Sequence, residues 1–464
     1  MTDNDMDRPN GDCSSESNRR KRRANADPPL PRRKALKTLG MVGTTGLTFT
    51  AGCSGDGGST GESGGDVEPA DSITIVAENN PDTAALEPLV PEFEEETGIS
   101  VEMDVISYEV MTERVSTQLQ SSDPGIDIAP LDHYWPGDFA EGGLLEPLES
   151  RISDSDVVSG DTYYDKVWEA TATYDDTVWS IPFFHYTHVM MYRKDILEDP
   201  DLEEQYDGEY RVPETIEEFV DLCTFITEST DEDFYGCAMN GQRGPMIHDE
   251  YMDYFNGLGG EFVTPDGEVM LGDHKEAAVE ALELYIENME EGAPEASKQW
   301  NFINSTEAMT NEEAFSMLSY VPLFSPIVEE LGDKVGIAQV PGKRPPLFGW
   351  SWSIPANLDE QRAEAAWQFI EWIESFESRK RRAMNGAVPT APDVVADEEV
   401  IETNPPFFEI QESLLNNAQP WPNVPGTNQV VQDFGTELSQ AVAGEKTPEE
   451  AISAGIERVE NILQ

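Results

Sequence analysis

Short apolar runs alternate with helical patterns along the first part of the folded chain. Ser72–Ala77 is an apolar run rich in β-branched residues, typical of a buried strand. Leu86–Thr97 carries apolar residues at helical spacing and stops at Gly98, a residue that ends helices. A second strand and helix follow at Ile99–Val105 and Tyr108–Gln120. The alternation predicts an α/β fold with a mostly parallel sheet.

The carboxyl ends of the predicted strands carry polar and aromatic residues. A third strand is predicted at Asp127–Leu131. Ligands of parallel sheets bind at the carboxyl ends of the strands, so the residues that follow the first and third strands are candidate ligand contacts. They are Glu78, Asn79, Asp132, Tyr134 and Trp135.

The segment before the folded part has the composition of an export signal. Arg32–Lys37 opens with paired arginines, and Thr38–Gly52 is fifteen uncharged, mostly small and apolar residues. About twenty apolar residues are needed to span a bilayer, so this run has the length of a signal-peptide core. It resembles a twin-arginine signal joined to a lipobox, which predicts a leader over 1–52 and lipidation of Cys53. Ala35 stands where the twin-arginine pattern prefers Phe, which leaves the export route open; a buried apolar helix is the alternative.

A flexible tether is predicted after the lipidated cysteine. Ser54–Asp71 is almost entirely Gly, Ser, Thr, Asp and Glu, which cannot bury enough apolar area to fold. We therefore expect 53–71 to join a lipid anchor to a folded part on the extracellular face of the cell membrane. One acyl chain anchors a protein only marginally, so this hypothesis requires a second chain or contact with a membrane partner.

Acidic residues greatly outnumber basic ones. From Cys53 onward, 412 residues hold 86 Asp and Glu against 19 Lys and Arg, a net charge of −67. This charge repels nucleic acid and anionic membrane surfaces, which makes both poor partners. Salt at about 1 M screens charges beyond roughly 3 Å, so the composition indicates a salt-rich habitat. The alternative is an acidic face for binding cations, although the acids are spread along the whole chain.

Few residues suggest covalent or metal chemistry. Cys223 and Cys237 are the only cysteines after Cys53, and a disulfide and two buried free thiols both remain open. The chain has no Cys/His metal spacing, P-loop, GxSxG, HExxH or dinucleotide fingerprint. We expect no cofactor and no metal; the histidines His185, His188 and His248 lack ligand spacing.

An ordered set of short motifs spans Ser72–Gln464. In chain order it comprises SSDPGIDIAPLDHYWPGDFAEGGLLEPLE at 121–149, Val178–Pro182, Met191–Ile196, Val212–Phe219, Leu258–Phe262, Val335–Gly342, Gly349–Trp350, Asn385–Pro389 and Gly444–Ala451. This order resembles the extracellular solute-binding proteins of ABC importers, family 1, the maltose-binding-protein-like group. With the acidic excess, the resemblance indicates a haloarchaeal lipoprotein.

The resemblance implies an α/β, two-lobe, type II periplasmic-binding-protein-like fold with an interlobe hinge. The N-terminal lobe is expected at 72–183 plus 347–376 and the C-terminal lobe at 184–346 plus 377–464, with the first crossing between them in the aromatic-rich segment 183–188. It further implies a non-enzymatic, monomeric receptor that captures a sugar and delivers it to ABC permease subunits, powered by a cytoplasmic ATPase.

The cleft of such a receptor should combine flat aromatic faces with acids, amides and a few arginines, because sugars present both C–H patches and hydroxyl edges. The candidates are Trp350, Trp135, Asp132, Tyr134, Tyr186, Arg243, Gln242, Tyr320, Glu78, Asn79 and Trp421. Each has a plainer alternative: a tryptophan can be core packing, an acid can be one of many on the surface, and Arg243 can pair with a neighbouring acid.

Two alternatives for the function remain open. A surface glycan hydrolase needs two placed carboxylates about 5–10 Å apart, and a chain this acidic offers many pairs. The same fold can also bind a polyamine or a glycerol phosphate ester. A polyamine would favour acids in the cleft, and a phosphate ester would favour several basic groups.

Overall fold

The computed structural model describes residues 67–264, 268–421 and 423–463. The leader 1–52, Cys53 and most of the tether lie outside these residues, so their assignments stay predictions. In the part of the chain that is described, no helix has the length and apolar character needed to cross a membrane.

The described residues contain eleven strands. They are β1 (Ser72–Glu78), β2 (Ser100–Ile106), β3 (Ala129–Asp132), β4 (Thr173–Tyr174), β5 (Thr177–Val178), β6 (Ile181–Arg193), β7 (Tyr235–Cys237), β8 (Ala314–Tyr320), β9 (Val335–Ala338), β10 (Pro346–Ser353) and β11 (Gln419–Pro420). The first three confirm the strands predicted at the start of the folded chain, to within two residues at most ends.

Helices connect and cover these strands. They are α1 (Pro81–Leu86), α2 (Val90–Thr97), α3 (Tyr108–Leu119), α4 (Pro136–Glu141), α5 (Glu149–Asp154), α6 (Asp165–Thr171), α7 (Lys194–Leu197), α8 (Pro200–Gln205), α9 (Ile216–Ser229), α10 (Pro245–Gly257), α11 (Lys275–Glu287), α12 (Phe302–Thr310), α13 (Phe324–Leu331), α14 (Glu360–Ile373), α15 (Phe376–Met384), α16 (Pro392–Val395), α17 (Glu398–Ile401), α18 (Pro405–Asn417), α19 (Thr427–Val442) and α20 (Pro448–Ile462). Helix α2 ends as predicted, because Gly98 adopts a left-handed conformation with φ of 78° that a side chain would disfavour.

The sheet is mixed, so the expectation of a mostly parallel sheet is wrong. β1 pairs with β2 in parallel, as do β7 with β8 and β10 with β11. At the centre of the larger sheet, however, β6 runs antiparallel to β10, β8 and β9, and β3 runs antiparallel to β10. The local strand–helix alternation could not reveal this, because the antiparallel partners lie more than a hundred residues apart in sequence.

Strand β6 joins the two halves of the larger sheet. Its first half pairs with β10, from Ile181 to Thr187, and its second half pairs with β8, from His188 to Tyr192. The aromatic segment predicted to cross between lobes, 183–188, is therefore the middle of one continuous strand. The lobe boundaries themselves stay a prediction.

Cys223 and Cys237 are both buried free thiols. Cys223 lies on α9 and Cys237 on β7, and the Cys223 Sγ lies 3.6 Å from the Ser316 hydroxyl. Of the two alternatives left open by the sequence, the structure has the thiol form.

Candidate ligand-binding site

A cavity lies where the ends of β1 and β3 meet helix α10 and the end of β8. Residues from both predicted lobes line it: Glu78, Asn80, Pro81, Asp82, Tyr108, Asp132, His133, Tyr186, Met246, Asp249, Phe302, Tyr320, Pro322, Leu323 and Phe348. The space that a water-sized sphere can reach inside is about 50 Å³, which is room for roughly three to five water molecules.

The tight turn from β1 into α1 places the end of β1 in the cavity wall. Asn80 caps helix α1, since its side chain accepts a hydrogen bond from the Thr83 N–H at 2.9 Å, and Pro81 occupies the first turn. Asn80 Nδ2 also donates to Glu78 Oε2 at 3.0 Å. The strand therefore turns directly into a helix, and Asp82 enters the cavity from its first turn.

Asp249 organises the opposite wall. Its Oδ1 accepts a hydrogen bond from the Tyr134 hydroxyl at 2.7 Å, and its Oδ2 accepts one from the Tyr320 hydroxyl at 2.8 Å. His248 Nδ1 lies 2.9 Å from Oδ1. Burial acts to raise the pKa of Asp249, but it is outweighed by the hydrogen bond and charge of His248, the hydrogen bond from Tyr134 and the charge of His133, which together hold the pKa below its usual range. Asp249 is thus a buried anion.

Aromatic rings form a continuous surface beside these acids. The Tyr186 and Tyr320 ring centroids lie 5.1 Å apart at a steep angle, and Phe348 lies 5.6 Å from Tyr186 and 5.3 Å from Tyr320. Burial, followed by nearby carboxylates, raises the pKa of Tyr108, Tyr186 and Tyr320 well above the ordinary value. All three therefore stay neutral.

Asp132 and His133 occupy the end of β3. Asp132 pairs with Trp350 across the antiparallel β3–β10 ladder, and the His133 N–H donates to the Gly349 carbonyl at 3.0 Å. His133 is 3% exposed, and its Nδ1 lies 2.7 Å from Asp132 Oδ1. Among the described residues this contact counts as an ion pair only, and neither ring nitrogen has a hydrogen-bond partner. The cavity wall thus holds a buried imidazole with unused hydrogen-bonding capacity.

Burial raises the pKa of Asp82 to about 7, against opposing effects from the Val388 N–H, which donates to Oδ1 at 2.9 Å, and the charge of Arg382. The folded protein therefore holds a proton on Asp82 that the unfolded chain loses between about pH 4 and pH 7. Stability should fall as pH rises through that window, because the folded state binds more protons.

Replacing Asp82 with Asn keeps the acceptor for the Val388 N–H and removes the buried charge. We expect the Asp82→Asn variant to be more stable than the wild type by up to about 4 kcal/mol near pH 8, and no more stable near pH 4. Denaturant unfolding at both pH values measures the difference. An equal effect of the substitution at the two pH values would refute this titration.

The structure brings four of the predicted site residues to the cavity: Glu78, Asp132, Tyr186 and Tyr320. Tyr134 contributes its hydroxyl to Asp249 from the adjoining depression, which it lines together with Trp421. The Tyr134 and Trp421 rings lie 5.9 Å apart, so these two aromatics stand behind the Asp249 wall.

Two predicted tryptophans support the cavity without lining it. Trp350 is 2% exposed, and its Nε1–H donates to the Tyr186 hydroxyl at 3.2 Å. Trp135 is buried against Trp350, with ring centroids 5.4 Å apart. Their contacts are those of core packing, and any direct contact with a ligand stays a prediction.

Three predicted residues lie elsewhere. Asn79 is exposed, and its N–H donates to the Ile106 carbonyl at 2.8 Å. Arg243 is also exposed and donates to the Thr436 hydroxyl at 3.0 Å, in a surface depression lined by residues of α19. Gln242 is half-buried and does not line the cavity. The plainer alternative for Arg243 was a salt bridge to a neighbouring acid, whereas the bond seen among the described residues goes to the Thr436 hydroxyl.

Sequence reasoning missed several lining residues, chief among them Asp249. It lies on α10, which begins after Gly244, whose φ of 99° favours glycine, and has Pro245 in its first turn. Residues 246–256 of this helix are all buried. The available signal was a run of His and acids, HDE at 248–250, inside a segment otherwise rich in Met, Tyr and Phe. A charged side chain is unfavourable in a helix that is buried on every side unless a nearby group pairs with it, so this run indicates a specific local interaction.

The arrangement can accept and donate hydrogen bonds over a short span while apolar rings cover the same ligand. Within the described ranges, no three His, Cys, Asp or Glu side chains converge closely enough to hold a metal ion. Carboxylates, hydroxyls and aromatic rings in one cavity suit the recognition of a small polar solute.

Comparison with known proteins identifies the class. The family model described as "Bacterial extracellular solute-binding protein" matches residues 77–380. That is well over half of the chain, and the chain belongs to this family, whose members serve ABC importers as solute receptors rather than as enzymes.

Among solved structures, an ABC transporter solute-binding protein from Agrobacterium radiobacter K84 in complex with ribitol matches with a TM-score of 0.75 and 24% identity, over 85% of this chain and all of that one. The α/β, two-lobe fold is thereby confirmed.

Two curated relatives are similarly distant. A "Probable amino-acid ABC transporter periplasmic-binding protein" from Sinorhizobium fredii is 22% identical, over 80% of this chain and 85% of its own length. The erythritol/L-threitol-binding protein of Mycolicibacterium smegmatis is 23% identical, over 69% of this chain and 70% of its own length.

Proposed function

We propose that the protein is the capture subunit of an ABC importer and that its solute is a small sugar or polyol bound in the cavity. The observation that carries this proposal is the lining: carboxylates and tyrosine hydroxyls stand beside a continuous aromatic surface. Polyhydroxylated solutes need that combination, because they present hydroxyl edges and C–H faces together. Support also comes from the ribitol and erythritol/L-threitol named for two similar proteins.

Solute entry requires the cavity walls to move apart. Room for a few water molecules is too little for a sugar of ten or more non-hydrogen atoms. The walls belong to segments on both sides of the predicted lobe boundary, so opening about the interlobe hinge would separate Asp132 from Asp249. The closed form would then be presented to a permease pair driven by a cytoplasmic ATPase.

The proposal includes a lipid anchor at Cys53 on the extracellular face of the membrane. A soluble receptor would diffuse away from its permease, whereas an acylated one would stay beside it. The Cys53→Ser variant should move from the membrane fraction to the soluble fraction. If that variant stayed in the membrane fraction, the proposed lipid anchor at Cys53 would be wrong.

A thermal-shift screen in high salt, across sugars, polyols, polyamines, amino acids and phosphate esters, tests the solute class. A solute at about 100 times its dissociation constant stabilises the protein by roughly 2.7 kcal/mol. We expect a sugar or polyol to raise the unfolding midpoint. A midpoint that responds only to solutes without several hydroxyls would overturn the proposed class.

A hydrolase is the second candidate function, because the cavity contains several carboxylates and glycan hydrolysis needs two about 5–10 Å apart. Incubation with oligosaccharides should release no new reducing ends. Steady turnover that the Asp249→Asn variant lacks would contradict the receptor proposal and identify the protein as an enzyme.

A further inference from the structure

We propose that closure of the cavity takes up a proton on Asp82, so that the protein holds its solute more tightly in acid than at neutral or alkaline pH. This inference rests on the proposed function, in which the walls move apart about the hinge, and adds regulation to the same site. Its basis is the position of Asp82, which lies in the first turn of α1, is 1% exposed and lines the cavity.

The burial of Asp82 depends on the closed cavity. Helix α1 packs against the segment 321–323, which follows β8. Pro322 and Leu323 of that segment line the cavity together with Asp82. By the expected lobe boundaries, α1 belongs to the N-terminal lobe and 321–323 to the C-terminal lobe. Opening about the hinge would therefore draw this apolar cover away and expose the Asp82 carboxyl to water.

In the closed form the carboxyl of Asp82 is bonded to a neutral group. Its Oδ1 accepts a hydrogen bond from the Val388 N–H at 2.9 Å. Arg382 acts on it through its charge, but the Arg382 guanidinium donates its hydrogen bond to Glu374. A buried carboxylate that no cation touches is unfavourable and takes up a proton instead. Burial accordingly raises the pKa of Asp82 to about 7, whereas an exposed aspartate has a pKa of about 3.9.

Other ionisable groups share the cavity and must be separated from Asp82 by experiment. They are Glu78, Asp132, His133 and Asp249, together with the three tyrosines that stay neutral. The pKa of Asp249 is held below its usual range, so Asp249 changes its charge only in stronger acid than Asp82. Any other group that titrates would add its own pH dependence, which a variant of Asp82 would leave in place.

Buried acids outside the cavity show why its position matters. Glu250 and Asp253 on α10 are also buried, and burial raises the pKa of each. Neither lines the cavity, so opening the cavity leaves both covered, and their protons accompany folding rather than solute binding. Glu250 is the matched case for Asp82, because its carboxyl likewise accepts a backbone hydrogen bond, from the Asn240 N–H.

The direction of the pH dependence follows from these values. Because the pKa of Asp82 is higher in the closed form than in the open form, the closed form binds more protons between about pH 4 and pH 7. Affinity for the solute should fall as pH rises through this window and level off above it. From about pH 5 to about pH 8 we expect a loss of at least about tenfold.

Calorimetric titration of the full chain counts the protons directly. The titration is repeated in high salt in two buffers that differ in ionisation enthalpy. The probe is ribitol or, if ribitol does not bind, the solute that gives the largest shift in the thermal screen. We expect uptake of about one proton per bound solute near pH 6 and little near pH 8. Asp82→Asn should lose most of this uptake and most of the fall in affinity, and Glu250→Gln should retain both.

The outcomes separate the two proposals. If the wild type takes up no proton near pH 6, or Asp82→Asn takes up as much as the wild type, the inference is wrong and the proposed function stands. If uptake depends on Asp82 but the bound solute is an amino acid or a phosphate ester, the inference stands and the proposed solute class is wrong. Failure of every solute tested would contradict both.

Discussion

Replacing Asp249 with Asn should weaken solute binding by about 30-fold or more. Asp249 is a buried anion that holds the Tyr134 and Tyr320 hydroxyls on its two oxygens. An amide of the same shape keeps one acceptor, turns a donor toward a tyrosine and removes the charge. Loss of a buried charged partner typically costs about 2–5 kcal/mol of binding free energy. Each 1.4 kcal/mol corresponds to a tenfold change in affinity, so about 2 kcal/mol corresponds to roughly 30-fold.

Calorimetric titration of the best solute from the screen measures this effect. Asp253→Asn is the matched control, because Asp253 is equally buried on the same helix, 2.6 Å from His188, but does not line the cavity. We expect it to retain affinity within about threefold. Equal losses in the two variants would mean that Asp249 acts through the stability of α10 rather than through the solute.

Replacing Arg382 with Met should lower the free energy of unfolding by about 3–5 kcal/mol, the usual effect of leaving one member of a buried ion pair alone. Arg382 donates to Glu374 at 2.8 Å, and its guanidinium lies 4.8 Å from the centre of the Phe183 ring. Glu374 is fully buried and, among the described residues, would keep the Tyr163 hydroxyl, at 3.2 Å, as its one side-chain donor. Met retains most of the apolar contact, so the loss isolates the charge.

The pH dependence of that loss shows whether it is electrostatic, because Arg382 lowers the pKa of both Glu374 and Asp82. Burial already raises the pKa of Glu374, and Arg382 and Arg379 oppose the rise. Without Arg382 the pKa should rise further, so the folded variant should keep a proton that the unfolded chain loses. The destabilisation should therefore grow from about pH 5 to about pH 8 in denaturant unfolding.

Two further variants complete the test. Arg381→Met makes the same substitution at the next residue, whose partner Glu92 is half-exposed, and should cost less than about 1 kcal/mol. Glu374→Gln added to Arg382→Met should recover part of the loss. A loss that is independent of pH and is not recovered would assign the effect to packing against Phe183.

Much of the fold could be predicted because its signals are local. Apolar runs and Gly98 fixed β1, α2 and β2 to within a few residues, and the motif order predicted the family. The antiparallel centre of the sheet was missed. Its register is set by contacts such as Met190 with Leu318, which the local pattern does not encode.

The residues that line the candidate cavity were predicted where they follow a strand and missed where they depend on packing. Glu78 and Asp132 were found because they end β1 and β3, and Tyr186 and Tyr320 because they are aromatic residues at the crossing and at a strand end. Arg243 was predicted because basic residues are rare in this chain. That rarity does not indicate where the side chain points, and in the structure it donates a hydrogen bond to Thr436 at the surface. Asp249 was missed, since only the burial of α10 on every side distinguishes it from the many surface acids.

A crystal structure with the sugar or polyol that gives the largest thermal shift tests the central claim most directly. We predict that the solute lies between Asp132 and Asp249, with polar atoms of both carboxylates within hydrogen-bond distance and Tyr186 and Tyr320 against its C–H face. A solute bound elsewhere, such as in the depression beside Trp421, with the Asp132 and Asp249 carboxylates untouched, would contradict the account.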